Sequence, residues 1–270
     1  MQKWTFYKYH GTGNDFVIID NRTGTLDGND TSLVKNICHR RFGIGADGFM
    51  LLEHSEKKTF AMRYFNSDGK ESTMCGNGGR CIVAFAHKLG LVPEGELFEF
   101  EAIDGLHEAI YNADHIRLKM IDVTGIKEVA NGYFLNTGSP HFVRYTEDLA
   151  AMDVFTSGRS IRHNKEFGEG GCNVNFVASQ AEGVISVRTY ERGVEDETWS
   201  CGTGCVASVL TDYYINPKGQ NYQVNVRGGQ LKVQFTPLGD QGFKDIWLEG
   251  PALFVFQGEI AKGEGLGLLK

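Results

Sequence analysis

Two stretches of this chain share an opening, and they decide how the rest of it folds. Residues 74–90 read Met-Cys-Gly-Asn-Gly-Gly-Arg-Cys-Ile-Val-Ala-Phe-Ala-His-Lys-Leu-Gly, and residues 200–215 read Ser-Cys-Gly-Thr-Gly-Cys-Val-Ala-Ser-Val-Leu-Thr-Asp-Tyr-Tyr-Ile. In each, a cysteine precedes Gly-x-Gly and then a run that is apolar on most helical faces, as in a helix buried all round. The pattern predicts that Cys75 and Cys201 each begin a buried helix, the first ending at Gly90 and the second before Pro217.

A cysteine at the start of a helix is placed for acid–base chemistry. Backbone N–H groups without intrahelical partners and the positive end of the helix dipole favour the thiolate over the thiol, so each sulfur is predicted to serve as a base. The adjacent glycines let a ligand approach the backbone, and the same N–H groups can bind an anion such as a carboxylate. One copy of the motif is also typical of a tight strand-to-helix turn, but two copies at matching positions favour a functional site.

The composition of the 270-residue chain is that of an ordinary globular protein, with 41% hydrophobic and 23% charged residues. A net charge of −7 without a clustered Lys/Arg stripe argues against nucleic acid or a membrane surface as partner and favours a small molecule. Residues 1–10 lack the features of a signal peptide, and no stretch is apolar for long enough to span a membrane. Six cysteines in a chain of this size fit reduced thiols, so we expect a cytoplasmic protein.

The order of predicted elements repeats once along the chain. In each half, strands lead through a polar turn to the cysteine, the buried helix follows it, and more short strands follow the helix. The length fits two domains, and the 35 glycines indicate many tight turns between short strands. We predict an α+β fold of two pseudo-symmetric domains, at 1–122 and 123–256, with a glycine-rich tail at 257–270 that returns to the first domain.

Two activated cysteines, one from each domain, suggest a reaction. In a pseudo-symmetric pair of domains we expect them to face each other across an interdomain cleft, which is a common place for a ligand. A thiolate on one side of a carbon and a thiol on the other suit inversion, because one removes a proton and the other supplies one. The helix N-termini would stabilise the carbanion that forms beside a carboxylate. The sequence therefore predicts epimerisation without pyridoxal phosphate.

The chain resembles the diaminopimelate epimerase family in segments that span nearly its whole length and occur in the family's order. They are Gly-Thr-Gly-Asn-Asp-Phe at 11–16, Phe-Asn-Ser-Asp-Gly at 65–69, Met-Cys-Gly-Asn-Gly-Gly-Arg at 74–80, Gly-Ser-Pro-His at 138–141, Asn-Val-Asn-Phe-Val at 173–177, Tyr-Glu-Arg-Gly-Val at 190–194 and Cys-Gly-Thr-Gly at 201–204. The resemblance implies interconversion of LL- and meso-2,6-diaminopimelate, a step toward lysine and peptidoglycan precursors, with no cofactor and no metal. It also implies two domains, each a barrel-like sheet around a central helix, and a homodimer.

The resemblance also implies roles for individual residues. The catalytic set is Cys75, Cys201, His141 and Glu191, with the cysteines as the acid/base pair and the other two assisting the proton transfers. An Arg192 guanidinium suits a carboxylate, a glutamate suits an ammonium, and asparagines can donate or accept hydrogen bonds. The implied substrate-binding residues are Asn14, Asn66, Gly76, Asn77, Asn173, Glu191, Arg192, Gly202 and Thr203.

The sequence departs from the pattern of some family members in three places. Gly48 stands where some carry a substrate-contacting glutamine, and Ser139 stands where many carry asparagine. The loop between Glu191 and Cys201 is one residue longer than in several relatives. We therefore assign neither Gly48 nor Ser139 as a substrate-binding residue.

Two other functions remain open from the residues alone. One is an enzyme of the same two-cysteine type acting on proline or hydroxyproline, and the other is a non-catalytic dithiol switch or metal-binding module. Nucleotide binding is not predicted, because neither a P-loop nor a strand-linked Gly-x-Gly-x-x-Gly is present. The other four cysteines are predicted to pack in cores; they are Cys38, Cys81, Cys172 and Cys205.

Overall fold

The computed structural model describes residues 3–113, 115–239 and 242–261, which form two compact units. The first unit contains the residues up to Leu118 together with those from Pro251 onward, and the second contains Lys119–Gly250. Within the described residues, each unit is built mainly of strands, with one long helix and one shorter helix.

In the first unit a mixed sheet packs around the helix that begins after Cys75. Its elements are β1 (Lys3–Gly11), β2 (Asn14–Asp20), α1 (Thr31–Cys38), β3 (Gly48–Glu53), β4 (Ala61–Asn66), β5 (Glu71–Ser72), α2 (Gly76–Lys88), β6 (Leu97–Ala102), β7 (Gly105–Asn112), β8 (His115–Lys119) and the late strand β18 (Leu253–Ala261). Neighbouring strands follow the order β18, β1, β2, β3, β4, β6, β7, β8, and the pairings of β2 with β3 and of β4 with β6 are parallel. Helix α2 packs against β1, β2, β3 and β7.

In the second unit another mixed sheet packs around the helix that begins after Cys201. Its elements are β9 (Lys127–Val129), β10 (Gly132–Asn136), β11 (Pro140–Tyr145), α3 (Val154–Arg162), a 3-10 turn (Lys165–Phe167), β12 (Asn173–Ala181), β13 (Val184–Glu191), β14 (Asp196–Thr198), α4 (Gly202–Ile215), β15 (Asn221–Val226), β16 (Gly229–Leu238) and β17 (Gly242–Gly250). The strand order is β9, β10, β11, β12, β13, β15, β16, β17, with β11–β12 and β13–β15 parallel. Helix α4 contacts seven of these strands, β10 to β13 and β15 to β17.

The two units repeat one topology strand for strand. In each, two antiparallel pairings are followed by a parallel, an antiparallel and a second parallel pairing, and then by two antiparallel ones. Parallel neighbours need a crossover, and in both units the short helix makes the first crossover and the long helix the second. The predicted α+β class and the predicted repeat of architecture are both confirmed.

Both faces of the central strands are covered, which explains their nearly continuous apolar sequence. On β2, Val17 and Ile19 belong to the buried cluster that includes residues of α1. On the opposite face, Phe16 of β2 and Met50 of β3 lie against Gly78 of α2. A strand buried on both faces loses the usual alternation of apolar and polar residues.

The two long helices begin and end close to where the sequence predicts. The N-caps are Cys75 and Cys201, and each helix starts at the glycine that follows. Helix α2 ends at Lys88, and α4 ends at Ile215 ahead of Pro217, which cannot continue a helix. None of the described helices is long and apolar enough to cross a membrane.

The returning segment near the end of the chain begins earlier than the predicted residue 257. Strand β18 starts at Leu253 and pairs antiparallel with β1, so Tyr9 lies opposite Phe254 and Trp4 opposite Ile260. Its first residues read Leu-Phe-Val-Phe, a strongly strand-forming sequence that extends the pairing. The predicted tail beyond residue 261 lies outside the described residues.

Helix α3 offers a test of how tightly the second unit is packed. Replacing glycine by alanine in a helix interior normally stabilises a protein by about 1 kcal/mol. At Gly158 the added Cβ would overlap the Cβ of Tyr190, which is fully buried in β13. We therefore expect the free energy of unfolding in urea to fall by about 1–3 kcal/mol, as for an overpacked core. Ser160→Ala on the exposed face of the same helix is the control and should not be destabilising; an equally stable Gly158→Ala protein would contradict the packing described.

Candidate active site

Cys75 occupies the N-cap of α2, and its sulfur is held by the backbone of that helix. The residue is extended (φ −102°, ψ 145°), and Sγ accepts a hydrogen bond from the Gly78 N–H at 3.2 Å. The side chain is half-buried. A sulfur in this position is accessible to a ligand while it faces the N–H groups of the first helical turn.

Cys201 occupies the N-cap of α4 but has a different environment. It is buried, and its Sγ lies 3.6 Å from the hydroxyl of Thr203. Burial raises the pKa of the Cys201 thiol well above its usual value, and the nearby Glu191 carboxylate raises it further. The Thr203 hydroxyl and the Gly204 backbone act in the opposite direction and lower the pKa, but by less.

The sequence favours a thiolate at a helix N-terminus but does not set the resting protonation of either cysteine, and at Cys201 burial outweighs the effect of the helix end. Removing the thiol from water disfavours the charged form, and a neighbouring carboxylate disfavours it again. Cys201 rests as a neutral thiol, which is a proton donor. The helix N-terminus contributes instead by stabilising the thiolate that remains after the proton has left.

Two predicted substrate-binding residues of the first unit meet near Cys75. Asn77, buried in the first turn of α2, donates from Nδ2 to Oδ1 of Asn14 at 3.2 Å. Asn14 in turn donates from Nδ2 to Oδ2 of Asp47 at 2.8 Å. The Oδ1 atom of Asn77 accepts a hydrogen bond from the fully buried Arg80 at 2.9 Å. Both amides are therefore oriented by charged residues that the sequence analysis did not assign to the site.

Asp47, in the bend before β3, belongs to a cluster of charged residues that includes Asp15 at the start of β2. Arg40 bridges Asp15 and Asp47, with N–O distances of 2.7 Å to each. Lys8, which is buried in β1, also pairs with Asp15 at 2.6 Å. Burial alone would raise the pKa of Asp15, but hydrogen bonds from Arg40 and Lys8 lower it to about 2. The carboxylate is thus fixed in its charged form.

Asn66 lies at the end of β4, opposite Gly48 in the antiparallel pairing with β3. The Tyr64 hydroxyl donates to Oδ1 of Asn66 at 2.8 Å. A Cβ added to Gly48 would lie 2.5 Å from Cε2 of Tyr64. The Tyr64 ring therefore occupies the space that the Cβ of any larger residue at position 48 would need, which explains the glycine there.

His141 lies at the start of β11 in the second unit and is fully buried. Its Nε2 is 2.9 Å from Oγ1 of Thr203, and its Nδ1 is 3.0 Å from Nδ2 of Asn175. The pKa of His141 is lowered to about 3, mainly by burial; the hydrogen bond with Asn175 opposes this shift and the charge of Arg192 adds to it. The imidazole is neutral at ordinary pH and is connected to Cys201 through Thr203.

The other predicted residues of the second unit converge on the same region. Buried Asn173 accepts from the backbone N–H of Arg192 at 2.8 Å and donates to Oγ of Ser139 at 2.9 Å. Arg192 is exposed, with one guanidinium nitrogen 3.4 Å from the same Ser139 oxygen. Glu191 accepts from the Thr198 hydroxyl at 3.0 Å. Ser139, which was not predicted to contact a ligand, therefore links Asn173 and Arg192, which were.

The other four cysteines are packing residues of the two cores. Each is buried, between 0% and 3% exposed, and burial raises the pKa of both Cys38 and Cys172 to about 12; the four are Cys38, Cys81, Cys172 and Cys205. Their predicted place in the cores is confirmed.

The predicted residues thus form two groups, one in each unit. Around Cys75 lie Asn14 and Asn77, and around Cys201 lie His141, Asn173, Glu191, Arg192 and Thr203, while Gly76 and Gly202 supply the first helical N–H groups. Sequence reasoning missed Asp47, Tyr64, Arg80, Ser139 and Asn175. Polar residues inside otherwise buried strands or helices are unusual, and that is the signal by which Arg80 and Asn175 can be found.

The neutral, buried state of His141 predicts a stability that depends on pH. The unfolded chain has an ordinary histidine pKa near 6.5, whereas the folded value is about 3, so the unfolded state binds the proton first as the pH falls. Stability from this group is complete above pH 6.5 and is lost below it, by about 2 kcal/mol at pH 5. We expect urea unfolding of His141→Gln to lose less stability between pH 7 and pH 5 than the wild type. Exposed His54→Gln is the control, and equal slopes for all three proteins would contradict a buried neutral imidazole.

Comparison with known proteins matches the chain to one family. The model of the diaminopimelate epimerase family matches residues 6–122 and 133–255. The chain is 48% identical over 253 residues to the diaminopimelate epimerase of Flavobacterium psychrophilum, covering 93% of this chain and 98% of that protein. It is 44% identical over 258 residues to that of Chlorobaculum tepidum, with the same coverages of 93% and 98%.

More distant solved structures share the fold. A phenazine biosynthesis protein of the PhzF family from Bacillus anthracis superimposes with a TM-score of 0.74 at 15% identity, covering 97% of this chain and 100% of that one. A hydroxyproline epimerase from Agrobacterium vitis, solved with bound trans-4-hydroxy-L-proline, gives 0.72 at 14% identity, covering 98% and 94%. The distant likenesses establish the fold alone, whereas the family match and the near relatives establish that the chain belongs to the diaminopimelate epimerase family.

Proposed function

We propose that this protein is a cofactor-independent isomerase that interconverts LL- and meso-2,6-diaminopimelate, a step in lysine and peptidoglycan precursor biosynthesis. The observation that carries the proposal is the presence of a thiol at the N-cap of each central helix, in a chain of this family. Each cysteine stands beside helical N–H groups that can bind a carboxylate, and the reacting carbon of an amino acid is next to one.

In the proposed reaction the two sulfurs act on opposite faces of one α-carbon. The Cys75 thiolate takes the α-proton, so that the C–H bond breaks and an S–H bond forms. The electron pair left on carbon is stabilised by the adjacent carboxylate and by helix N–H groups. The Cys201 thiol then gives its proton to the other face, which inverts the centre and leaves Cys201 as the thiolate. The reverse reaction exchanges the two roles.

The resting protonation of Cys201 supports this assignment of the donor. Its thiol is neutral because of burial and the Glu191 carboxylate. When a substrate ammonium pairs with Glu191, the carboxylate no longer opposes the Cys201 thiolate, so substrate binding itself makes proton donation easier. We propose that Glu191 couples recognition of the amino group to the proton transfer in this way.

The distal end of the substrate distinguishes diaminopimelate from smaller amino acids. We propose that exposed Arg192, oriented by Asn173 and Ser139, binds a carboxylate, and that Asn14, Asn66 and Asn77 bind further polar groups. A cyclic substrate such as proline has no second amino acid group for such a set. That chemical argument favours diaminopimelate over the proline or hydroxyproline alternative.

Proton exchange in heavy water tests the activity and the two-base assignment together. With LL-diaminopimelate in D2O, we expect deuterium at the α-carbon and formation of the meso isomer, followed by NMR, and no exchange with L-proline. Cys75→Ala and Cys201→Ala should each lower kcat by about 10²–10⁴-fold, the usual contribution of a positioned acid or base. The controls are Cys38→Ala and Cys172→Ala, which remove buried thiols of the cores and should retain the activity.

Each alternative has its own outcome in this experiment. Exchange with L-proline but not with diaminopimelate would replace the proposed substrate by a cyclic one. Exchange with neither would favour the dithiol switch or metal-binding module. Full turnover in Cys75→Ala or Cys201→Ala would overturn the two-base assignment while leaving the substrate unchanged.

We also propose a cytoplasmic homodimer. Six thiols suit a reducing compartment, and the surface of the first unit carries a run of large apolar residues along β18. Leu253, Phe254, Val255 and Phe256 are each 44–52% exposed. Four exposed apolar side chains in succession along one strand are typical of a protein interface.

Sedimentation equilibrium tests the dimer. We expect a dimer for the wild type and a monomer for Val255→Glu, because a charge in the centre of an apolar interface is costly to bury. Leu106→Glu, at another exposed apolar residue of the same unit, is the control and should stay dimeric. A monomeric wild type, or a dimeric Val255→Glu protein, would contradict an interface at β18.

A further inference from the structure

The side chain of Asn175 is fully buried in the middle of the second unit's site, and its orientation is fixed. Its Nδ2 atom donates to the carbonyl oxygen of Phe142 at 3.0 Å and also lies 3.0 Å from Nδ1 of His141. Its Oδ1 atom accepts from the Thr189 hydroxyl at 2.9 Å. A flipped amide would place two acceptor oxygens, Oδ1 and the Phe142 carbonyl, against each other. The carbonyl therefore determines which end of the amide faces the histidine.

This orientation decides the tautomer of His141. An amide NH2 group can only donate, so Nδ1 has to accept and carries no proton. The ring is neutral, and its one N–H is therefore at Nε2. The surroundings of Nε2 are consistent with a proton there. Asn173 Nδ2 lies 3.4 Å from Nε2, but its two hydrogens are donated to Ser139 Oγ at 2.9 Å and to the Pro140 carbonyl at 3.2 Å.

The tautomer in turn sets the direction of the next hydrogen bond. The Nε2–H group donates to Oγ1 of Thr203 at 2.9 Å. Because Oγ1 of Thr203 accepts this hydrogen bond, its own hydroxyl hydrogen is available for the Cys201 sulfur, which lies 3.6 Å from Oγ1. The backbone of Thr203 is held as well, because its carbonyl accepts from the Thr137 hydroxyl at 2.9 Å. The hydrogen bonds thus run in one direction, from Asn175 through His141 and Thr203 to Cys201.

We propose that Asn175 is a positioning residue that locks His141 as the Nε2–H tautomer, so that the Thr203 hydroxyl donates to the Cys201 sulfur. A donor aimed at this sulfur stabilises the thiolate that forms when Cys201 gives up its proton, and it does so without a charged group. The catalytic consequence rests on the proposed function, whereas the locked tautomer does not.

The opposite tautomer would be unfavourable at three places. With the proton at Nδ1, two donors would face each other between His141 and Asn175, and Nε2 would need a donor. Thr203 would then have to turn its hydroxyl hydrogen toward His141 and away from Cys201. A buried polar group left without a partner is costly, so one change of proton position disrupts the whole chain.

The experiment reads the tautomer directly and compares two buried substitutions. Two-bond 15N–1H correlation spectra distinguish Nε2–H from Nδ1–H imidazoles, and the His141 signals are assigned by their loss in His141→Gln. Wild type should show Nε2–H. Asn175→Asp has nearly the same shape but presents a carboxylate oxygen to Nδ1, so we expect the proton to appear on Nδ1.

Thr189→Val is the matched control for Asn175→Asp. It removes a buried hydrogen bond to Oδ1 of the same asparagine but leaves both Nδ2 donors in place. We expect this variant to keep the Nε2–H tautomer. With diaminopimelate, Asn175→Asp should lose about tenfold or more in kcat with little change in KM, the scale of one hydrogen bond made in the transition state.

The outcomes separate this inference from the proposed function. An Nδ1–H tautomer in the wild type, or an unchanged tautomer in Asn175→Asp, would overturn the role of Asn175. The wild-type spectrum alone decides the first point even where Asn175→Asp does not fold. If the tautomers are as expected but the protein exchanges no proton of diaminopimelate, Asn175 still locks the tautomer and the proposed substrate is wrong. A switched tautomer with unchanged kcat would overturn the catalytic consequence.

Discussion

The group of residues around Cys75 and the group around Cys201 depend on the same constraint, which is that a sulfur atom is held where a buried helix begins. The constraint explains the Cys-Gly-x-Gly motif. A Cβ at Gly78 would lie 3.2 Å from the Cys75 sulfur, and a Cβ at Gly204 would lie 3.3 Å from the Cys201 sulfur and overlap Oδ1 of Asn175. The second glycine of each motif therefore leaves room for the sulfur beside the helical N–H groups. Because strands enclose each helix, the position of its first turn is fixed by the core rather than by the loop.

The repeated frame does not give the two cysteines the same chemistry. Cys75 is half-buried beside oriented amides, whereas Cys201 is buried near a carboxylate and receives a hydrogen-bond chain from a neutral histidine. Two identical helix ends thus hold thiols in different surroundings. In a reaction that needs a donor and an acceptor of protons at the same time, this difference is useful, because two thiolates or two thiols cannot start the exchange.

The sequence was sufficient for the class of the fold and for the two helix ends at which Cys75 and Cys201 lie. Apolar runs after Cys75 and Cys201 predict the helices because a helix buried on all faces has few polar residues, and the repeat of elements follows from reading both runs together. Hydrogen-bond networks are less accessible. Asn175 lies opposite Thr189 and reaches His141 only through the parallel register of β11 with β12, which no local pattern reveals. Likewise Asp47 orients Asn14 from the bend that precedes β3, and Tyr64 covers Gly48 across an antiparallel pair. The resting protonation of Cys201 could not be predicted from the sequence, since burial, which depends on the whole fold, acts more strongly than the helix end.

The late strand β18 has a consequence for how the chain is made. It pairs along almost the whole of β1, so the first unit is assembled from the two ends of its own stretch of polypeptide, with the entire second unit between them. A ribosome finishes the second unit before it has made the strand that covers the first. During synthesis the edge of β1 that pairs with β18 therefore stays unpaired until the second unit has been made, so the first unit to be started is the last to be completed.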